Sequence, residues 1–195
     1  LSTGFSVSEN LNKKNNDRYQ YVLPYYTFDK KLFSNSDLGS FSLNSNGNNV
    51  LDNTNQLKSQ INNNLSYSSY DHISKTGIKN NFNVRLKNLN TTGKNISEYK
   101  SSPQIELLSI FELSSSLPLI KRSDEFLNYF TPKLSFRANP SDMKNYNSTD
   151  RSISNGNIFN IDRLGLSDSF EAGRSLTLGF DYKKESLREV NKYFE

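Results

Sequence analysis

The sequence predicts an all-β chain: an antiparallel transmembrane β-barrel, present as an incomplete, open segment of roughly 10–13 strands at about ten residues each plus turns. Three observations lead there. The first is alternation. In Lys133–Ala138, Leu134, Phe136 and Ala138 oppose Lys133, Ser135 and Arg137; in Ser175–Tyr182, Leu176, Leu178, Phe180 and Tyr182 oppose Ser175, Thr177, Gly179 and Asp181. A period of two gives each strand one apolar and one wet face. The second is composition. Only 33% of the 195 residues are hydrophobic and the mean hydropathy is −0.74, yet 12% are aromatic, with 13 Phe and 11 Tyr. Soluble globular chains sit nearer about 45–50% apolar. Low hydropathy alone would read as disorder, but joined to alternating aromatics it fits strands with one face on a wet lumen. The third is the lack of any apolar run of about 18 residues, which excludes a transmembrane helix.

Taken in order, Phe5 and Val7 alternate with Ser6 and Ser8, and 10–18 reads as a polar loop. Tyr19–Phe28 is a strand in which Pro24 removes a ladder donor, favouring a strand end or a bulge. Asp29–Asp37 reads as a turn, Leu38–Asn44 as a strand, and Ser45-Asn46-Gly47-Asn48-Asn49 as a turn, since Asn-Gly tolerates positive φ. Asn53–Ser69 divides into two strand pieces: Leu57, Ile61 and Leu65 have helical spacing, but Asn62-Asn63-Asn64 is poor helix material. Phe82, Val84 and Leu86 mark a strand at Asn81–Lys87, and Asn88–Ser97 a turn. Gln104–Leu113, preceded by Pro103 and followed by three serines, is a long strand. Pro118 and Pro132 bracket Leu119–Thr131, whose aromatics suit an interface. Lys183–Glu189 reads as a charged loop. Neither a fixed repeat nor a domain boundary is visible. The chain lacks an initiating Met and a signal peptide at its start, and both ends stop in strand-like sequence, so we expect a piece of a longer exported protein.

The long connection between Ala138 and Ser175 is the segment of interest, because connections of this length are usually functional or disordered. Its apolar island, Ile158-Phe159, needs burial, so the segment is expected to fold inward over the wet face. Arg163 would then need carboxylates: Asp162, Asp168 and Glu171 lie near it in sequence, and pairing with Asp168 and Glu171 would fix the loop. Gly173 would let the chain turn back into the next strand. Leu134, Phe136, Leu176, Leu178 and Phe180 should face lipid or a buried surface, with Ser135 and Thr177 on the other side.

Other chemistry is sparse. His72 is the sole histidine and cysteine is absent, which leaves neither a metal set nor a disulfide framework. No Gly-x-Ser-x-Gly elbow occurs. Glu106 and Glu112 could pair for glycoside chemistry, but polar residues alternating along a strand account for them more simply. The net charge of +4, from 24 basic and 20 acidic residues, is too balanced and dispersed for nucleic acid.

From Pro118 onward, motifs accumulate: Pro118-Leu119, the Pro132 to Pro140 spacing, Asn157-Ile158-Phe159 leading to Arg163, and Asp168-Ser169-Phe170-Glu171-Ala172-Gly173. Together they resemble the C-terminal barrel domain of the LptD family, the lipopolysaccharide-assembly proteins of the outer membrane. Leu166 stands where that family usually has Gly, and Ser169 where it usually has Arg. Asp17-Arg18-Tyr19 to Pro24 and Asn53-Thr54-Asn55 also fit, so the likeness spans nearly the whole chain and is specific from Pro118. It implies that residues 1–195 are part of one barrel domain, with an N-terminal jelly-roll and further strands lying outside. It also implies transport of lipopolysaccharide to the outer leaflet through a lumen and lateral gate at the cell outer membrane. The implied partners are lipopolysaccharide, an LptE-type lipoprotein plug, and an LptA-type periplasmic bridge reached through the jelly-roll. No enzyme activity, cofactor, metal or nucleic acid is implied. The loop residues it singles out are Asn157, Phe159, Arg163, Asp168, Glu171 and Gly173, with Pro118, Pro132 and Pro140 bracketing strands. Two other classes remain open at this point: a general outer-membrane porin or receptor, and a secreted β-rich adhesin.

Overall fold

The computed structural model describes residues 1–12, 18–35, 37–53, 55–141, 152–166, 169–187 and 193–194. Its strands are β1 (Ser2–Glu9), β2 (Tyr19–Asn35), β3 (Gly39–Asp52), β4 (Gln56–Ser68), β5 (His72–Ile73), β6 (Lys79–Lys94), β7 (Gln104–Ser116), β8 (Leu119–Arg122), β9 (Phe126–Asn139), β10 (Gly173–Ser186) and β11 (Tyr193–Phe194). They form one 11-stranded sheet, with the main path β1-β2-β3-β4-β6-β7-β9-β10-β11 and the short β5 and β8 pairing β6 and β9. Every pairing is antiparallel. Among the described residues β1 pairs only with β2 and β11 only with β10, so the sheet is open. No α-helix is present among them.

Several strands run further than local sequence suggests. The Asn-Gly segment at 45–49 is not a turn: β3 passes through it, paired on both sides. Gly47 serves close packing instead. A Cβ there would lie 2.5 Å from Cε1 of Tyr26, so only glycine lets that ring lie across the strand. The chain turns later, where Asn53 takes φ 48°. Likewise, 88–94 continues β6 against β4, 53–69 holds one strand, 29–35 belongs to β2, and 183–186 continues β10. In each case strand pairing, on both sides for most of these residues but with β3 alone at 29–35, outweighs the local turn preference of Asn, Ser and Gly. Pro24 lies inside β2, at a register shift between Val22 and Tyr25.

The prolines divide. Pro118 lies in the link from β7 to β8, and Pro140 immediately follows β9. Pro132 does not bracket a strand. It lies within β9, opposite Phe180. Its carbonyl accepts the Leu117 N–H at 3.1 Å, so its nitrogen points to the same side, into the gap where β8 gives way to β7. No ladder donor is required in that gap.

Paired residues share a face, so the register sorts the side chains. One face carries Phe82, Val84, Leu86, Ile105, Leu107, Phe111, Leu113, Leu134, Phe136, Leu176, Leu178 and Phe180. It is open, with Leu178 75% and Leu107 71% exposed. The register carries Phe82 through Leu113 and Phe136 to Leu176, but the neighbouring row runs from Val84 through Phe111 and Ala138 to Arg174. The apolar band therefore crosses the strands obliquely. An aromatic row, Phe33–Phe41–Tyr67–Phe82, crosses β2, β3, β4 and β6 on this face, with successive ring centroids 5.6, 6.4 and 6.5 Å apart.

The opposite face is polar, and residues 152–166 and 169–172 of the long connection lie across its β6–β10 part. Here sits the apolar cluster of Leu108 and Ile110 from β7 with Ile161 and Phe170 from the segment. The interior of this chain lies between sheet and loop.

Candidate functional site

The covering segment is held by strand side chains that point into the polar face and reach loop backbone carbonyls. On β6, Lys87, 5% exposed, donates from Nζ to the carbonyls of Leu166 (2.8 Å) and Ser169 (3.2 Å), and its ammonium lies 4.4 Å from the centre of the Phe170 ring. On β9, Arg137, 3% exposed, donates Nε–H to the Ile161 carbonyl (3.1 Å) and an Nη2 proton to the Glu171 carbonyl (2.9 Å). Two residues on, Asn139 donates to the same Glu171 carbonyl at 3.0 Å. Fully buried carbonyls need partners, and a loop this polar lies against a sheet only because the sheet supplies donors.

Glu171 is the hub. Its carboxylate accepts Arg163 Nε–H at 2.8 Å, pairs again with Arg163 Nη2, and meets Arg137 Nη1 at 3.2 Å. The side chains of Arg137, Arg163 and Glu171 are 4%, 9% and 17% exposed. Two guanidiniums thus share one carboxylate in a nearly dry setting, where charge-assisted bonds are short and directional. A second carboxylate deepens the polar layer. Glu112 of β7 accepts from Ser135 Oγ (2.9 Å) and Asn83 Nδ2 (3.1 Å) and is 4% exposed. Glu106 lies on the same face, less buried.

The residues expected from sequence fall as follows. Arg163 meets Glu171; Asp168 lies outside the described residues. Asn157 organises a turn, with its Oδ1 accepting the Ser154 N–H at 2.7 Å and its Nδ2 reaching the Ser152 carbonyl at 3.0 Å. Phe159 packs on β10 at Gly179, where a Cβ would come within 2.9 Å of its ring, and Lys133 Nζ lies 5.8 Å from the ring centre. Ile158 is only half-buried; Ile161, Leu166 and Phe170 are the buried apolar residues, 7%, 5% and 3% exposed. Leu166, at the place where glycine was expected, is a packing residue, and the neighbouring Gly165 takes the positive φ of 57° with its N–H on Asp162 Oδ1 at 2.9 Å. Gly173 has φ 89° where the segment re-enters the sheet.

Lys87, Arg137 and Asn139 escape sequence reasoning, and Glu112 shows there only as polarity on a strand face. Each is an ordinary polar residue of an alternating strand, and its partner lies far along the chain. Their only local signal is charge on a strand face that also carries apolar residues such as Leu108 and Ile110. Among the described residues no group of His, Asp and Glu is arranged to hold a metal ion. His72 lies exposed in β5. The arrangement is a loop fixed over the polar face of the sheet. No family model, curated protein or solved structure matches the chain.

Proposed function

We propose that this chain is part of a transmembrane β-barrel of the LptD type, which passes lipopolysaccharide to the outer leaflet of the cell outer membrane. The carrying observation is its inverted polarity: the exposed face is apolar and the face beneath the loop is charged and amide-rich. Water stabilises the reverse arrangement, whereas a bilayer outside and a wet lumen inside stabilise this one. The oblique apolar band supports inclined strands, as barrel closure requires, and the aromatic row supports a level at the membrane interface. The likeness from Pro118 onward supplies the cargo.

In this reading the 152–172 segment is a lumen plug tied down by Lys87, Arg137 and Glu171. The sugar-bearing part of the cargo passes the polar face while lipid A leaves sideways between edge strands. Energy comes from other components of the transport bridge, so no catalytic residue is involved. The partners are an LptE-type plug lipoprotein and, through a further domain, an LptA-type bridge. A general porin or receptor would share the inverted polarity but not dependence of lipopolysaccharide export on this loop; a secreted adhesin would share neither.

The test uses cells that rely on the complete protein carrying Arg163→Ala or Phe159→Ala. Surface lipopolysaccharide should fall and uptake of a large antibiotic should rise at wild-type protein levels. Wild-type values on both counts would remove the loop from the transport reading.

A further inference from the structure

The open face of β8, β9 and β10 turns polar at one end. Near the Phe126 end of β9 the register sets Lys121, Asn128 and Lys184 side by side, one on each strand. Adjacent strands lie about 4.8 Å apart, so the two lysine stems stand roughly 10 Å apart with the amide between them. That amide is oriented. Asn128 Oδ1 accepts the Tyr182 hydroxyl at 2.9 Å, and its Nδ2 turns toward β8, 3.5 Å from the Lys121 carbonyl. Lys184 Nζ is held at the rim, 3.8 Å from the centre of the Phe126 ring. Neither Lys121 nor Lys184 makes an ion pair among the described residues. The carboxylates of β10 lie on the other face, Asp181 with Lys133, and Glu185 with Lys183 and Tyr129. Asp124 and Glu125 lie in the β8–β9 turn, beyond the row. In the opposite direction the same face continues as an exposed apolar column of Leu119, Phe130, Phe180, Leu134 and Leu178, with the Phe130 and Phe180 rings 5.4 Å apart.

We propose that this row binds the phosphate of an anionic glycerophospholipid, whose acyl chains lie along the apolar column. The inference rests on reading the open face as bilayer-facing and adds a specific lipid contact at one rim of it. Charge complementarity selects the headgroup. Two ammoniums and an amide N–H lie within reach of one phosphate, on a stretch of face that carries no carboxylate, and a phosphate diester is an acceptor with a single negative charge. A zwitterionic headgroup brings its own cation and gains less from the lysines. The order along the strands is that of an amphiphile: lysine stems lie on apolar surface with their heads at the polar boundary, and hydrocarbon contact begins directly beside them. The row lies at the end of β9 opposite the 140–172 connection. Membrane barrels carry long connections outside and short turns at the periplasmic end, so the row meets the leaflet that does not receive the cargo. Lysines that were merely solvated would need no oriented amide between them.

The test gives the complete protein in detergent equimolar dioleoylphosphatidylglycerol and dioleoylphosphatidylcholine and counts retained lipid by native mass spectrometry. Phosphatidylglycerol should be retained in preference. Lys121→Gln combined with Lys184→Gln should lower its retention about tenfold and leave phosphatidylcholine unchanged. Tyr182→Phe, which frees the amide, should lower it by less. Arg174→Gln, at a cation on the same face at the other end of β10, should change nothing. Equal retention of the two lipids by the unmodified protein, no loss in the double-lysine variant, an equal loss in Arg174→Gln, or displacement of phosphatidylglycerol by an equal amount of purified lipid A would overturn the proposal. Insertion into vesicles of phosphatidylcholine alone is measured in parallel. Failure of the unmodified protein to insert there would sink the bilayer reading, whereas insertion without a phosphatidylglycerol preference would sink this site alone.

Discussion

The two faces of β9 and β10 are built from the same strands and differ in nearly everything else. On the open face Phe136, Leu176 and Leu178 are 44%, 64% and 75% exposed; one residue along, Ser135, Arg137 and Thr177 are 4%, 3% and 9% exposed. Strand geometry only separates the two sets. What each set meets comes from elsewhere: the covered face from a loop of this same chain, the open face from the surroundings. The sheet is therefore secured on one side by charge-assisted hydrogen bonds, and it presents to the other an apolar surface that water does not stabilise.

The largest effect should come from cutting the covered face at its hub. Glu171→Ala leaves Arg137 and Arg163 buried without their shared carboxylate, and breaking a buried pair from one side costs about 3–5 kcal/mol. Urea unfolding of the complete protein in detergent should show that loss, together with new protease cleavage within 152–172. An unchanged midpoint would mean that backbone tethers from Lys87 and Asn139 hold the loop unaided.

Next comes the open face. Phe136→Arg and Leu178→Arg place a charge where a bilayer is expected, at about 2–4 kcal/mol for a mid-membrane position. Alternation alone makes Ser135→Arg the mild control. The structure removes that control, because Ser135 is buried and hydrogen-bonded to Glu112 at 2.9 Å, and overpacking such a site typically costs about 1–3 kcal/mol. Both kinds of variant should reduce the heat-modifiable folded band on gels. Only Ser135→Arg should also open the loop to protease. Loop cleavage in Phe136→Arg at the same rate would mean that the two faces are not independent.

This contrast marks how far the sequence can be read. Alternation assigned the faces of β9 and β10, because side-chain direction on a strand depends only on position. The inward fold of the long segment and the pairing of Arg163 with Glu171 were legible too, since an apolar island and an unpaired cation each require a partner. The strand anchors were not. Arg137 reads the same whether it meets water or the Ile161 carbonyl, and Lys87 lies far along the chain from Leu166 and Ser169. The Asn-Gly at 46–47 misleads for a related reason: its turn preference is local, while pairing with β2 and β4 and the ring of Tyr26 are not.

A smaller effect is expected where loop and sheet touch without charge. Gly179→Ala puts a Cβ 2.9 Å from the Phe159 ring, so the ring must shift or the loop must lift. A cost of about 1–3 kcal/mol is expected from such overpacking. Phe159→Ala in the same chain should cancel most of it. Additive losses in the double variant would place the strain elsewhere in β10.

The smallest effect sharpens the comparison most. Arg18 Nε lies 2.8 Å from Glu9 Oε1, and Arg163 Nε lies 2.8 Å from Glu171 Oε2. The two Nε contacts are equal in length, although Arg163 pairs a second time through Nη2 and shares its carboxylate with Arg137. They differ in burial: the side chains of the first pair are 40% and 37% exposed, those of the second 9% and 17%. Exposed pairs lose most of their attraction to water and salt, whereas a partly dehydrated pair is screened far less. Arg18→Ala should therefore leave the urea midpoint unchanged at low and high salt. Arg163→Ala should lower it at both, with little dependence on salt. If the two substitutions behave alike, neither the dry interior beneath the loop nor the second bond of Arg163 would strengthen the tether.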